Sequence, residues 1–307
     1  MATSLSWLDT VWRSFISREG PSIKPILSQW QQWGLCSLPP ETHSLLPMTG
    51  GLTNRCWLLH LDSGEFVLRV SAANRRELAI DREQEFRIQQ RAAHHGLAPA
   101  IRYRSSNDDY WIMEHVRGRH LAGPPPVDDL PDVASAMRQL HQLPWGSDLP
   151  EISIAEKAAH YWQGIRKRWP DDDWSRLQQP LQEMLSAAPG PERSICHMDP
   201  NPNNWRKSVA GWRLLDWEYA GIGHPLWDIA SFSLMGELPT TRERYWCQLN
   251  HVDQQGTAWM RARLQMTYLN ELWFGVQELH NRQRFLDSMN RLLEDSRRLV
   301  SREHPDV

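Results

Sequence analysis

A chain of 307 residues with 37 acidic and 34 basic side chains, net charge −3, is long enough for two domains or one bilobal unit, and its charge excludes a nucleic-acid groove or polybasic membrane patch. A hydrophobic content of 40% supports a substantial core and excludes a disordered chain. Cys36, Cys56, Cys196 and Cys247 are widely spaced, with neither C-x-x-C nor zinc spacing, the N-terminal MATSLSWLDTVWRSF has no cationic leader, and no apolar run reaches membrane length; the reading is a reduced, soluble, cytoplasmic protein.

Residues 1–40 read as a helical N-terminal extension. Trp7, Val11 and Phe15 fall near helical spacing until Glu19-Gly20-Pro21 stops the run, and Ile26, Trp30 and Trp33 continue on one face. From Leu45 the pattern becomes extended. Met48 to Asn54 forms a glycine-rich turn in which Gly50, Gly51, Thr53 and Asn54 let backbone N–H groups approach phosphate oxygens. Asp62-Ser63-Gly64 is a hairpin turn, and Arg69 lies on the returning strand, on the face opposite Leu68 and Val70. Leu78 to His94 reads as a charged helix. Glu85, with Glu83 as the alternative, is the carboxylate that would orient the Arg69 guanidinium; surface pairing such as Glu83–Arg87 is the competing use. Two further strands, Pro99–Arg104 and Tyr110–His115, complete a small antiparallel sheet, and the punctuation at Arg117-Gly118-Arg119 places a lobe boundary near Glu114–Gly118.

The remainder is predicted to be mainly helical. Val133, Ala136, Met137 and Leu140 recur at helical spacing, Ser153-x-x-Glu156 and Thr240-x-x-Glu243 read as capping boxes, and Thr257 to His280 reads as one long helix. Between these helices runs ICHMDPNPNNWRKSVAGWRLLDWEYAGIGHPLWDIA, residues 195–230. His197, Asp199 and Asn204 form H-x-D-x4-N, and Asp216 follows the apolar pair Leu214-Leu215. Phosphoryl transfer from ATP needs this layout: Asp199 accepts the proton of an attacking hydroxyl, while Asn204 and Asp216 hold Mg²⁺ against the phosphates. The order is more specific than the turn-forming composition alone would produce.

These pieces resemble the choline kinase and aminoglycoside phosphotransferase family of small-molecule kinases over roughly residues 45 to 280, most closely in HMDPNPNN, in LDWEYA and in Pro225-x-x-Asp228-Ile229-Ala230. The resemblance implies an α+β, bilobal protein-kinase-like fold: an N-lobe of small antiparallel sheet plus helix over 41–117 and a mainly helical C-lobe over 118–307. It implies ATP and Mg²⁺ as cofactors, Arg69 on phosphate and paired with Glu85, and adenine read at Met113, Glu114 and Val116. His197 and Asp228 brace the catalytic loop. The absence of Phe-Gly after Asp216 and of Ala-Pro-Glu beyond argues against a regulated protein-kinase activation segment. D-W-E-Y-A resembles choline/ethanolamine and bacterial thiamine kinases, so the acceptor is a small cationic alcohol, with an aminoglycoside or sugar as the alternative and a non-catalytic nucleotide binder as the second. No nucleic-acid or membrane partner is expected, and oligomeric state is left open. A cationic acceptor needs aromatic faces and carboxylates. The candidates are Glu218, Asp228, Glu271, Trp273, Phe274 and Glu278, with Glu271 and Glu278 seven apart on one helical face around Phe274. Seventeen Trp against six Phe and six Tyr fit core packing first and such a pocket second.

Overall fold

Strands β1 (Leu45–Met48), β2 (Arg55–Leu61), β3 (Gly64–Val70), β4 (Ile101–Arg104) and β5 (Tyr110–Glu114) form one antiparallel sheet in the order β1-β2-β3-β5-β4. The computed structural model describes residues 23–48, 54–71, 78 and 80–303, and by contact density the chain divides into two compact units, Met1–Ala73 with Ala100–His115, and Asn74–Pro99 with Val116–Val307. The helix expected before residue 20 and the turn residues Gly50, Gly51 and Thr53 lie outside the described residues.

The first unit holds the sheet. Leu61 pairs with Gly64, leaving Asp62-Ser63 as the two-residue turn, and Gly64 at φ 141° adopts a backbone that favours glycine. Period-two alternation sends Leu59, Leu68, Val70 and Ile112 into a core completed by Ile26 and Leu27 of α1 (Ile23–Leu27) and Trp33 of α2 (Trp30–Trp33). The opposite face carries Arg69, in register with Trp111, its guanidinium 5.4 Å from the indole centroid.

The second unit opens with α3 (Arg82–His94). It starts four residues after the Leu78 that the sequence pattern gives, because Asp81 caps it, accepting from the N–H groups of Glu83 (2.9 Å) and Gln84 (3.1 Å). Helices α4 (Leu130–His141), α5 (Ile154–Arg168), α6 (Ser175–Leu185), α7 (Leu226–Met235), α8 (Thr240–Leu249), α9 (Thr257–Val276) and α10 (Arg282–Glu303) follow. Two small sheets interrupt them: β6 (Arg119–His120) with the hairpin β8 (Trp205–Ser208) and β9 (Gly211–Leu214), and β7 (Ser194–Cys196) with β10 (Gly221–Gly223). One core joins Ile88 and Ala92 of α3 to Met137, Trp162, Trp217, Phe232 and Leu272. Trp162, Trp205, Trp217 and Trp246 are among the largest fully buried side chains, so much of the tryptophan excess packs this unit. No helix among the described residues is long and apolar enough to cross a membrane.

Two local expectations change. Thr240 does not cap α8, because it is the first residue of the helix and Pro239 takes the cap position; Glu243 instead accepts from Ser233 Oγ at 2.7 Å and pairs with Arg263. The long helix ends at Val276, so Glu278, at φ 59°, lies beyond it and shares no helical face with Glu271.

Candidate active site

Strand β7 ends at Cys196 and delivers His197, Met198 and Asp199 into a turn held from beneath by Asp228, in the first turn of α7. The fully buried Asp228 carboxylate accepts from the backbone N–H of His197 (2.8 Å, Oδ2) and of Met198 (2.7 Å, Oδ1), and His141 Nε2 lies 3.0 Å from Oδ2. Met198 is in the left-handed region at φ 68°, where non-glycine residues are uncommon, so these charge-assisted bonds offset an unfavourable backbone. The His197 ring is stacked edge-on against Trp217, with centroids 4.7 Å apart. Its Nε2 lies 3.0 Å from the Leu215 carbonyl, and its Nδ1 accepts from the N–H of Asp199 at 3.3 Å. Those partners define a neutral tautomer, and burial pushes its pKa down to about 4. His197 is therefore a neutral strut joining the Asp199 loop to the strand that leads to Asp216.

The Asp199 carboxylate accepts from Asn201 Nδ2 (2.9 Å) and Asn204 Nδ2 (3.0 Å), and Asn204 Nδ2 also donates to the Asp199 carbonyl at 2.9 Å. Burial raises the Asp199 pKa to about 7; the Glu218 and Asp228 charges add to the rise, while the two amide donors oppose it. The spacing of Asn204 from Asp199 follows from a tight turn: Pro200-Asn201-Pro202-Asn203 brings the chain back, with Asn201 capping a short helical turn through Asn203 N at 3.0 Å. The pairing of Trp205 with Leu214 in the hairpin then sets Asn204 beside Leu215, whose N–H donates to the Asn204 carbonyl at 2.8 Å. Asp216 comes next, also left-handed at φ 63°. Because the Asn204 amide nitrogen is committed to Asp199, its Oδ1 faces the other way. One amide oxygen and one carboxylate, both hard donors on adjacent backbone, fit Mg²⁺.

Glu85 and Glu218 converge on one guanidinium. Arg82 Nη1 contacts Glu85 Oε2 and lies 3.4 Å from Glu218 Oε2, and all three side chains are at most 4% exposed. Gln84 Nε2 donates to the Ala220 carbonyl, so α3 is tied to the D-W-E-Y-A segment at two points. Glu83, by contrast, pairs with Arg87 at 2.8 Å on the surface.

Beside Asp199 and Glu218 lies an aromatic group. Tyr161 of α5 is buried, Tyr219 follows Glu218, and Trp273 Nε1 of α9 donates to Tyr219 Oη at 2.9 Å. Burial lifts both phenols above their ordinary range, helped by the Glu218 and Asp199 charges. Lys157, one turn before Tyr161, sets its Nζ 5.3 Å from the Tyr219 centroid. Of the other predicted acceptor residues, Phe274 packs on His280, its ring 5.1 Å away. Glu271 lies 3.1 Å from His280 Nδ1 and borders a groove with Thr267, Ser288 and Leu292 that neither tyrosine lines.

The model of the APH phosphotransferase enzyme family matches residues 44–264, a span that contains Asp199, Asn204 and Asp216. The chain belongs to that family. A thiamine kinase from Shigella dysenteriae is 26% identical over 194 residues, 62% of this chain and 66% of that relative, which is just under two thirds of its length. Choline kinase LicA from Streptococcus pneumoniae aligns with TM-score 0.70 at 17% identity over 90% of this chain and 99% of its own, and a LicA complex with AMP aligns with TM-score 0.72. An ethanolamine kinase from Plasmodium vivax aligns with TM-score 0.67 at 14% identity, covering 96% of this chain and 95% of that one. At these identities the likeness is one of fold, and it is the α+β kinase-like fold that the sequence implies.

Within this member of the family, the remaining sequence candidates belong to the first unit or its exit. Asn54 and Arg69 are buried, Met113 and Glu114 lie on β5, and the chain leaves the unit between His115 and Val116. Glu114 pairs with Arg102, and its carboxylate accepts from Ala100 N at 3.2 Å. Sequence reasoning did not single out Asn201, His141, Arg82, Tyr161, Tyr219 or Lys157. Asn201 carried a signal, standing two residues from Asp199 between two prolines. Lys157 and Tyr161 carried only their i, i+4 spacing, which any surface pair shares.

Proposed function

We propose that this phosphotransferase is an ATP- and Mg²⁺-dependent small-molecule kinase that phosphorylates the hydroxyl of a small cationic alcohol, thiamine first and choline or ethanolamine next. The observation that carries the reading is Asp199: a carboxylate oriented by Asn201 and Asn204, with a pKa raised to about 7, beside the oxygen donors Asn204 and Asp216. A base with that pKa near working pH combines a useful ionised fraction with enough basicity to take the acceptor's proton. In this reading Asp199 positions the hydroxyl and holds its proton as the phosphoryl group arrives. Asn204 and Asp216 hold the metal, which when bound neutralises the charge of the transferring phosphates. Asp228 and His197 keep the base in place. Asn54, Arg69, Glu85, Met113, Glu114 and Val116, with Gly50, Gly51 and Thr53, take the nucleotide-binding roles, supported by sequence position and by the AMP complex of LicA.

The cationic acceptor is supported by Tyr161, Tyr219 and Trp273 standing with Glu218 and Asp199, a set of π-faces and carboxylates that favours positive charge. The thiamine kinase relative ranks thiamine first. The test is ADP formation with Mg²⁺ against thiamine, choline, ethanolamine, aminoglycosides and sugars. Thiamine turnover is expected, with Asp199→Ala abolishing it while retaining ATP binding, and Asp216→Ala losing Mg²⁺-dependent nucleotide binding. Failure of every acceptor, or undiminished turnover in Asp199→Ala, refutes the reading.

A further inference from the structure

The aromatic face that a cationic acceptor would use already carries a cation. Lys157 is half-buried, its Nζ 5.3 Å from the centroid of Tyr219, and the same tyrosine is fixed by Trp273 through its hydroxyl. Tyr161 stands one helical turn further along α5, and Glu218, adjacent to Tyr219, supplies the compensating charge. An ammonium on a ring face satisfies the ring's quadrupole and repels a second point charge brought to that face.

Resting on the kinase reading above, we infer that Lys157 is a specificity-determining residue of the acceptor site: it excludes compact quaternary ammonium alcohols and admits an acceptor whose positive charge is spread over a heteroaromatic ring. Such a ring presents little charge at any one point, and a neutral heteroaromatic ring joined to it brings lone-pair nitrogens that accept a hydrogen bond from Nζ. A trimethylammonium group offers no acceptor atom and concentrates its charge where Lys157 already is.

The groups that act on Lys157 are Tyr219, under its Nζ, and Glu218, both from the segment after Asp216; the Glu218 and Asp199 charges act in turn on Tyr161 and Tyr219. Burial pulls the lysine down to about 8, opposed by Glu218; Asp199 titrates near 7, and both tyrosines stay protonated through this range. Exclusion of a quaternary ammonium therefore relaxes as pH rises past 8. Ionisation of Asp199 acts in the same direction but is common to the wild type and to variants at Lys157, so their difference isolates the lysine.

The experiment compares wild type, Lys157→Met and Lys157→Arg with thiamine and choline as probes, measuring kcat/KM for ATP-dependent phosphorylation and calorimetric binding of choline at pH 7 and 9. Wild type is expected to favour thiamine. Lys157→Met should raise choline kcat/KM relative to thiamine by about tenfold or more, mainly through KM, and Lys157→Arg should keep the wild-type preference. Choline binding should tighten between pH 7 and 9 more in wild type than in Lys157→Met. An unchanged choline-to-thiamine ratio in a folded Lys157→Met, or equal pH dependence in the two proteins, overturns the inference. If wild type phosphorylates neither compound, the reading of the acceptor as thiamine or choline fails, and choline binding still decides the role of Lys157. Should Lys157→Met not fold, Lys157→Arg takes its place, because its charge persists through pH 9: choline affinity that rises more between pH 7 and 9 in wild type than in Lys157→Arg supports the inference, and an equal rise overturns it.

Discussion

Asp228→Asn removes one charge and one acceptor while preserving volume, and its cost can be worked from three bonds. The carboxylate accepts from His197 N, from Met198 N and from His141 Nε2 at 2.8, 2.7 and 3.0 Å, in a fully buried site. An amide keeps one oxygen, which can serve Met198. Its NH₂ group must then face the N–H of His197, while His141 can switch tautomer and accept from it. One buried N–H is left unsatisfied and one charge-assisted bond becomes neutral, a loss of roughly 2–4 kcal/mol. For a unit of this size each kcal/mol moves Tm by about 2–4 °C, so the melting point should fall by roughly 5–15 °C. Asp228→Ala, which strands both N–H groups, should fall further. Met198 holds its left-handed backbone against those two bonds, so the loop carrying Asp199 should loosen and kcat should drop more than nucleotide affinity. Thermal melts followed by circular dichroism, with kcat measured well below each melting point, read both effects. A Tm within about 1 °C of wild type, or an Ala variant more stable than the Asn variant, would refute the argument that Asp228 holds the loop.

Because Asp199 is raised to about 7, kcat/KM should rise with pH along a single-proton limb centred near 7, whereas an ordinary carboxylate would give a limb near 4; a pH–rate profile decides. A raised folded pKa also means that the stability tied to Asp199 is present below its unfolded range and lost as pH climbs through 7. The Tm of Asp199→Asn relative to wild type should therefore increase between pH 5 and pH 8. Asp199→Asn should lower kcat by about 10²–10⁴-fold while ATP binding by calorimetry stays within a few-fold. For the buried Arg82, Glu85 and Glu218 group, Arg82→Met should destabilise by roughly 3–5 kcal/mol, and a double-mutant cycle with Glu218→Gln should show coupling of about 1–3 kcal/mol; additive effects in denaturant melts would separate the two side chains energetically.

What could be read in the sequence follows the distance over which each interaction acts. The turn from Asp199 to Asn204 is closed by bonds spanning two to five residues, so the convergence of these side chains was legible in the order of letters alone. The alternation along β3 likewise separates Arg69 from Leu68 and Val70 without reference to any other element. Glu243 shows where local grammar fails. Thr-x-x-Glu describes a cap, yet Arg263 and Ser233 offer the carboxylate partners that a backbone N–H at a helix end cannot match. Glu278 fails for another reason: Val276-Gln277-Glu278 contains no glycine or proline to announce the end of α9, and the stop appears only in the backbone, where Glu278 itself takes the left-handed turn.

Arg82 and Lys157 are the harder cases. Each is a cation on an ordinary-looking helix, and what distinguishes it from a solvated surface residue is Glu218, 136 positions from Arg82 and 61 from Lys157 in sequence. A buried or half-buried cation requires a nearby anion to offset its desolvation, and sequence periodicity carries no information about an anion supplied by a different element. Glu218 is that shared anion, and the D-W-E-Y-A segment that fixes it also presents Tyr219 to Lys157. The same five residues that announce the family thus also determine which helical lysine is drawn onto the aromatic face, a consequence that appears only once α3, α5 and α9 are packed around them.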